Sequence, residues 1–166
     1  MQWLSPSPEA THAAAQALAG CIGDEGLVIA LNGPLGAGKT AFVKGLAAGL
    51  GVDPALVTSP TFVIVSEYPA GGRRLAHVDL YRVETETELE VAGFLDLLEP
   101  GAVVAVEWAE RFPAALPAER LALRIERPAD STDPGRRVLH ATASGAAAAA
   151  ALACWHTALE ASASDP

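Results

Sequence analysis

The chain has 166 residues, 51% hydrophobic and 5% aromatic, with a formal net charge of −9. That length suits one domain, and its core must be packed mainly by alanine, leucine and valine. Phosphate backbones are gripped chiefly by lysine and arginine, and this acidic chain has only two lysines, Lys39 and Lys44. The balance excludes a protein that holds nucleic acid through its own basic surface; a bound anion must rely on local geometry and a metal ion.

Cys21 and Cys154 show no paired spacing. They read as two reduced thiols of a cytoplasmic protein, with no disulfide framework. No basic start followed by an apolar stretch marks a signal peptide. The longest apolar stretch, residues 146–155, falls well short of the roughly 20 residues a membrane span needs. The expectation is a cytoplasmic protein without membrane contact.

In chain order, Ser7 can cap a helix and Pro8 suits its first position, so a helix is expected to about Ile22. Residues 23–26 break it. Residues 27–31, Leu-Val-Ile-Ala-Leu, form a continuous apolar run, as a strand covered on both faces would. A glycine-rich loop follows at once. Phe42, Val43, Leu46, Ala47 and Leu50 then recur at helical spacing, and Gly51 supplies a stop.

Residues 63–68 and 75–80 read as antiparallel strands flanking a hairpin connection at residues 69–73. Thr85-Glu-Thr-Glu88 fits a capping box that opens an acidic helix to about Leu98. Pro100-Gly101 ends it, and residues 102–106 repeat the buried-strand signature. Beyond Pro113 the pattern alternates, with Leu121, Leu123 and Ile125 on one face. Asp133-Pro-Gly135 marks a turn before a returning strand at residues 137–142. The alanine-rich end, from Gly145, predicts a peripheral helix through Leu159, packed by Trp155, and then a Ser/Ala/Asp tail. The whole reads as an α/β, P-loop NTPase-like three-layer domain with a mixed sheet and β-hairpin insertions over residues 1–144, followed by the helix and tail of residues 145–166.

The loop is Gly33-Pro-Leu-Gly-Ala-Gly-Lys-Thr40. Its glycines let consecutive backbone N–H groups converge on phosphate oxygens. The helix after it points its positive end at the anion. Lys39 can reach the β- and γ-phosphates, and the Thr40 hydroxyl can ligate Mg²⁺. The setting between an apolar strand and an amphipathic helix is the one such a loop requires. Candidate nucleotide contacts are therefore Gly33, Gly36, Ala37, Gly38, Lys39, Thr40 and Ala41.

Such a loop needs a carboxylate at the end of a neighbouring buried strand to hold Mg²⁺ and order water. Glu107 follows residues 102–106 and is favoured on the metal side, with Thr40. Asp79 shares a face with Leu75 and His77 by period-two alternation and is favoured for positioning water or metal. The sequence does not divide the roles of ligand and base between them. Thr61, in Thr58-Ser-Pro-Thr61, is a candidate for γ-phosphate or metal contact in a switch-like segment. Thr11 can border the adenine. His77 reads as a satisfied strand histidine, and Arg82 is the nearest candidate for an internal arginine finger.

Taken together these residues resemble one family, the bacterial TsaE proteins. The resemblance rests on Leu31-Asn-Gly-Pro-Leu-Gly-Ala-Gly-Lys-Thr40, Ser59-Pro-Thr-Phe62, His77-Val-Asp-Leu-Tyr-Arg82, Glu88-Leu89 with Gly93, and Val106-Glu-Trp108. It spans residues 11–126. It implies an ATPase subunit, acting with a TsaB–TsaD heterodimer, in making threonylcarbamoyl-adenosine beside the anticodon of tRNAs that read codons beginning with A. ATP and Mg²⁺ are the implied cofactors, and hydrolysis supports repeated turnover, not the carbamoyl transfer itself. Lys39 and Thr40 match the family's loop residues, Asp79 the acid of its HxDLYR motif and Glu107 the acid of its EW motif. Pro34 departs from the family at a variable loop position, and the chain after Asp130 carries no clear family motif. No Asn-Lys-x-Asp guanine-reading motif occurs, so ATP is preferred over GTP. A small-molecule kinase is the rival enzyme class, although no lid insertion stands out. A nucleotide-dependent interaction switch is a third reading.

Overall fold

The computed structural model describes residues 1–163. In chain order it contains β1 (Gln2–Ser5), α1 (Pro8–Ala19), β2 (Leu27–Asn32), α2 (Lys39–Gly49), β3 (Val65–Ala70), β4 (Arg73–Asp79), α3 (Glu86–Val91), β5 (Val103–Glu107), β6 (Arg120–Glu126), β7 (Arg137–Ser144) and α4 (Ala146–Ala163). Short 3-10 turns lie at Pro54–Leu56, Phe94–Leu97 and Ala109–Arg111.

The strands form one sheet in the order β1-β7-β6-β2-β5-β4-β3. Strands β6, β2, β5 and β4 run parallel, while β3, β7 and β1 pair antiparallel at the two sides. The expected mixed sheet is therefore present. Its parallel centre is covered on both faces, which explains the unbroken apolar runs of β2 and β5. One face packs Ile29, Leu31, Val103 and Ala105 with residues of α1, α2 and α4. The other packs Ala30, Val78, Val104 and Val106 with α3 and the loops beside it. The alternation in β6 holds as read, with Leu121, Leu123 and Ile125 all buried.

Helix α1 lies hard against α2. A Cβ on Gly45 would stand 2.4 Å from the carbonyl oxygen of His12 and 2.8 Å from Ala15 Cβ, so only glycine permits the approach. Ser7 caps α1 by accepting from Ala10 N at 3.2 Å, and Thr85 caps α3 by accepting from Glu88 N at 3.2 Å. Both caps were legible as sequence signals.

Four expectations need correction. Cys21 and Cys154 are not two separate thiols but form a disulfide across 133 residues, because α4 returns to lie beside the end of α1. The N-terminal residues are not merely a helix lead-in, since β1 pairs with β7 at the sheet edge. The acidic helix does not reach Leu98. It ends at Val91, and Gly93, at φ 77°, turns the chain into the 3-10 turn Phe94–Leu97. Helix α4 also runs past Leu159 to Ala163. The tail beyond it lies outside the described residues.

Trp155 is fully buried. Its indole N–H donates to the Ala14 carbonyl at 2.7 Å, and its ring meets Phe42 edge-on with centroids 6.0 Å apart. Through that one side chain α4 is tied to both α1 and α2. Replacing a buried Trp by Ala costs about 3–5 kcal/mol, so Trp155→Ala should lower the urea unfolding midpoint by that equivalent. A midpoint unchanged from wild type would show that α4 contributes nothing to the core.

Candidate functional site

Strand β2 ends in the middle of the sheet, so the chain leaving it enters the crevice at the carboxyl ends of the parallel strands, where such folds place ligands. Leu31 and Asp79 both pair with Glu107, which sets three strand ends level. Gly33 then turns with φ 136°. A Cβ there would stand 2.1 Å from the Ile125 carbonyl oxygen, so this position excludes every other residue. The loop runs over to Gly38, which precedes the first turn of α2.

The cleft beside the loop encloses about 430 Å³ and is lined by Gly36, Lys39, Thr40, Thr61, Asp79 and Glu107, among others. Ala37, Gly38 and Ala41 line it too. A second hollow of about 630 Å³ shares Gly36, Ala37 and Trp108 with it and takes in Gly33 and Arg127. A further hollow, about 340 Å³, lies at the opposite strand ends near Glu25 and Glu119 and contains none of the expected site residues. Thr11 is not brought to the cleft. It is buried in α1, where its hydroxyl bonds to Ser5 Oγ at 2.7 Å and donates to Ser7 O at 3.2 Å.

Lys39 is 4% exposed. Its ammonium donates to the carbonyls of Gly33 at 2.6 Å and Pro34 at 3.1 Å, and lies 3.7 Å from the centroid of the Trp108 ring. Trp108 is held there by a left-handed backbone at φ 58°, unusual for a bulky residue and common near functional sites. Burial lowers the Lys39 pKa, opposed by the charges of Glu107, Glu110 and Asp79. The sign follows from linkage: a lysine whose folded pKa is depressed carries its full desolvation cost below that folded value, and stability recovers as pH rises through it. A nearby anion favours the same charged form, so the loop holds a cation that gains by meeting phosphate.

The Thr40 hydroxyl donates to Glu107 Oε1 at 2.7 Å. Asp79 accepts from Thr61 at 2.6 Å and Ser59 at 2.7 Å on Oδ2, and from Tyr81 N at 2.9 Å on Oδ1. The structure therefore groups Thr40 with Glu107 and Thr61 with Asp79. These are hard oxygen donors, which suit Mg²⁺. Among the described residues no group of three or more His, Cys, Asp and Glu side chains could hold a metal.

Arg82 lies 4.3 Å from the centroid of the Phe62 ring and is not a cleft-lining residue. A different arginine touches the loop. Arg137, the first residue of β7, donates from Nε to Ala37 O at 2.6 Å and from Nη2 to Gly36 O at 3.3 Å. Burial, then the charge of Arg127, lowers its pKa. It fixes the loop at two carbonyls, beside the turn in which Ala37 N donates to Pro34 O at 3.1 Å. Sequence reasoning missed it because the residue belongs to no motif and is 100 positions from its partner. Hydrogen bonds to charged groups contribute about 1.5–3 kcal/mol. Arg137→Met should therefore speed amide hydrogen exchange in residues 35–38 roughly tenfold, read by mass spectrometry. Exchange at the wild-type rate would show that the loop holds its shape without this arginine.

Comparison with known proteins adds the lineage. The family model for TsaE, described as threonylcarbamoyl adenosine biosynthesis protein, matches residues 5–138. A tRNA threonylcarbamoyladenosine biosynthesis protein TsaE of Bacillus subtilis is 42% identical over 130 residues, covering 78% of this chain and 80% of that one. Its counterpart in Streptomyces coelicolor is 42% identical over 122 residues, covering 72% and 80%. The crystal structure of Bacillus subtilis YdiB superposes with a TM-score of 0.75 at 34% identity, over 95% of each chain. With its glycine loop, its paired carboxylates and these relatives in agreement, the chain belongs to the TsaE family of threonylcarbamoyl adenosine biosynthesis proteins.

Proposed function

We propose that the chain is the ATP-hydrolysing subunit of a cytoplasmic tRNA threonylcarbamoyladenosine machinery, working with a TsaB–TsaD heterodimer. The observation that carries this reading is the 2.7 Å bond from Thr40 to Glu107, at the junction of the loop helix and a central strand. In phosphate-loop enzymes this pairing of a loop hydroxyl with a strand-end acid serves the metal. Bound Mg²⁺ supplies charge neutralisation to the phosphates. The loop's N–H groups and the start of α2 receive the phosphate tail, and Lys39 turns from its carbonyl partners towards it. Asp79, fixed from both oxygens, orients the attacking water or the metal's shell.

Membership of the family does not favour a small-molecule kinase. The net charge of −9 assigns tRNA contact mainly to the partner proteins. No helix among the described residues is long and apolar enough to cross a membrane. Among these arginines only Arg137 bonds to loop carbonyls, so hydrolysis by the isolated chain should be slow and rise when the partner completes the site.

The test is reconstitution with the partner heterodimer, threonylcarbamoyl donor and tRNA, following phosphate release and modified nucleoside. Lys39→Ala should weaken ATP binding about a hundredfold, the equivalent of roughly 3 kcal/mol for a lost charged contact. Glu107→Gln should retain ATP yet slow phosphate release on the order of a hundredfold. Full tRNA modification by Glu107→Gln would favour the interaction switch, and isolated protein turning over as fast as the assembly would refute partner stimulation.

A further inference from the structure

Glu107 receives a second donor that the proposed reaction does not use. His77 is fully buried on β4, and its Nε2 lies 2.8 Å from Glu107 Oε1. That is the oxygen which also accepts from Thr40 at 2.7 Å. The other ring nitrogen, Nδ1, is buried without a hydrogen-bond partner among the described residues. A buried N–H lacking an acceptor is costly, so the proton belongs on Nε2, and the neutral ring donates to the carboxylate. Two donors then occupy Oε1, while Oε2 receives none from the described residues.

We propose that His77 is a positioning residue for the metal site: it locks the Glu107 carboxylate so that Oε2 alone faces the cation or its water. The inference rests on the reading of Thr40 and Glu107 as the magnesium pair. Its physical basis is a division of labour between the two oxygens. Thr40 can hold Oε1 only while its own geometry is unchanged, and its hydroxyl oxygen is itself a metal ligand candidate. His77 sits on a neighbouring strand, with Ala105 as its β5 partner, and is independent of the loop. It therefore holds the carboxylate's rotamer while Thr40 adjusts. Neighbouring-shell partners of this type are worth about ten- to a hundredfold in metal affinity.

The experiment measures binding of a non-hydrolysable ATP analogue to the full chain across a Mg²⁺ titration and in EDTA. His77→Leu removes the donor, whereas His77→Gln retains an N–H at a similar reach. His77→Leu should raise the Mg²⁺ half-saturation roughly tenfold and leave metal-free affinity within about twofold; His77→Gln should restore most of the loss. A Mg²⁺ midpoint unchanged in His77→Leu, or equal weakening with and without metal, would overturn the proposal. If His77→Leu does not fold, the ring-nitrogen NMR of wild type decides, His77 being the most deeply buried of the four histidines and hence the slowest to exchange. The Nε2–H tautomer supports the proposal and the Nδ1–H tautomer overturns it. Wild type that binds no nucleotide at all would instead sink the magnesium reading, and this inference with it.

Discussion

Glu107 Oε1 stands within hydrogen-bonding distance of both Thr40 and His77, and most of the site is arranged to make that meeting possible. A carboxylate 3% exposed needs hydrogen-bond donors in place of the water it has lost. The two it has come from different elements, one from the start of α2 and one from β4. Because those elements flank β5 on the sheet and above it, the buried acid acts as a joint between loop and sheet. Its own strand supplies the rigidity, with every residue of β5 buried.

The loop is held from three further directions. Ile125 of β6 approaches Gly33 so closely that no side chain fits. Arg137 of β7 binds the carbonyls of Gly36 and Ala37. Trp108, directly after Glu107, carries the Lys39 ammonium on its ring. Strands β6 and β7 and the residue after β5 thus each approach the loop. Backbone N–H groups cannot be repositioned by rotamers, so the accuracy of the loop is inherited from the sheet.

Much of this was legible in the sequence because it is local. The glycine-rich loop, the caps at Ser7 and Thr85, and the apolar runs of β2 and β5 are each written in consecutive residues. Glu107 was legible as an acid emerging at a strand end, and Asp79 by alternation along β4. The features that escaped are those joining distant segments. Arg137 reaches the loop only because β7 pairs with β6, and β1 exists only because β7 offers it an edge. The Cys21–Cys154 disulfide depends on where α4 lies against α1, which no spacing rule encodes. Conversely, the run from Thr85 to Leu98 looked like one helix until Gly93 broke it.

In the proposed function, main-chain amides of the loop hold the phosphates while Thr40 and Glu107 serve magnesium. A two-dimensional amide NMR titration with Mg·ATP tests this most directly. Large shifts should be confined to residues 33, 35–41 and the ends of β4 and β5, and should diminish when EDTA removes the metal. Shifts centred elsewhere, or a spectrum of the loop indifferent to Mg·ATP, would contradict it.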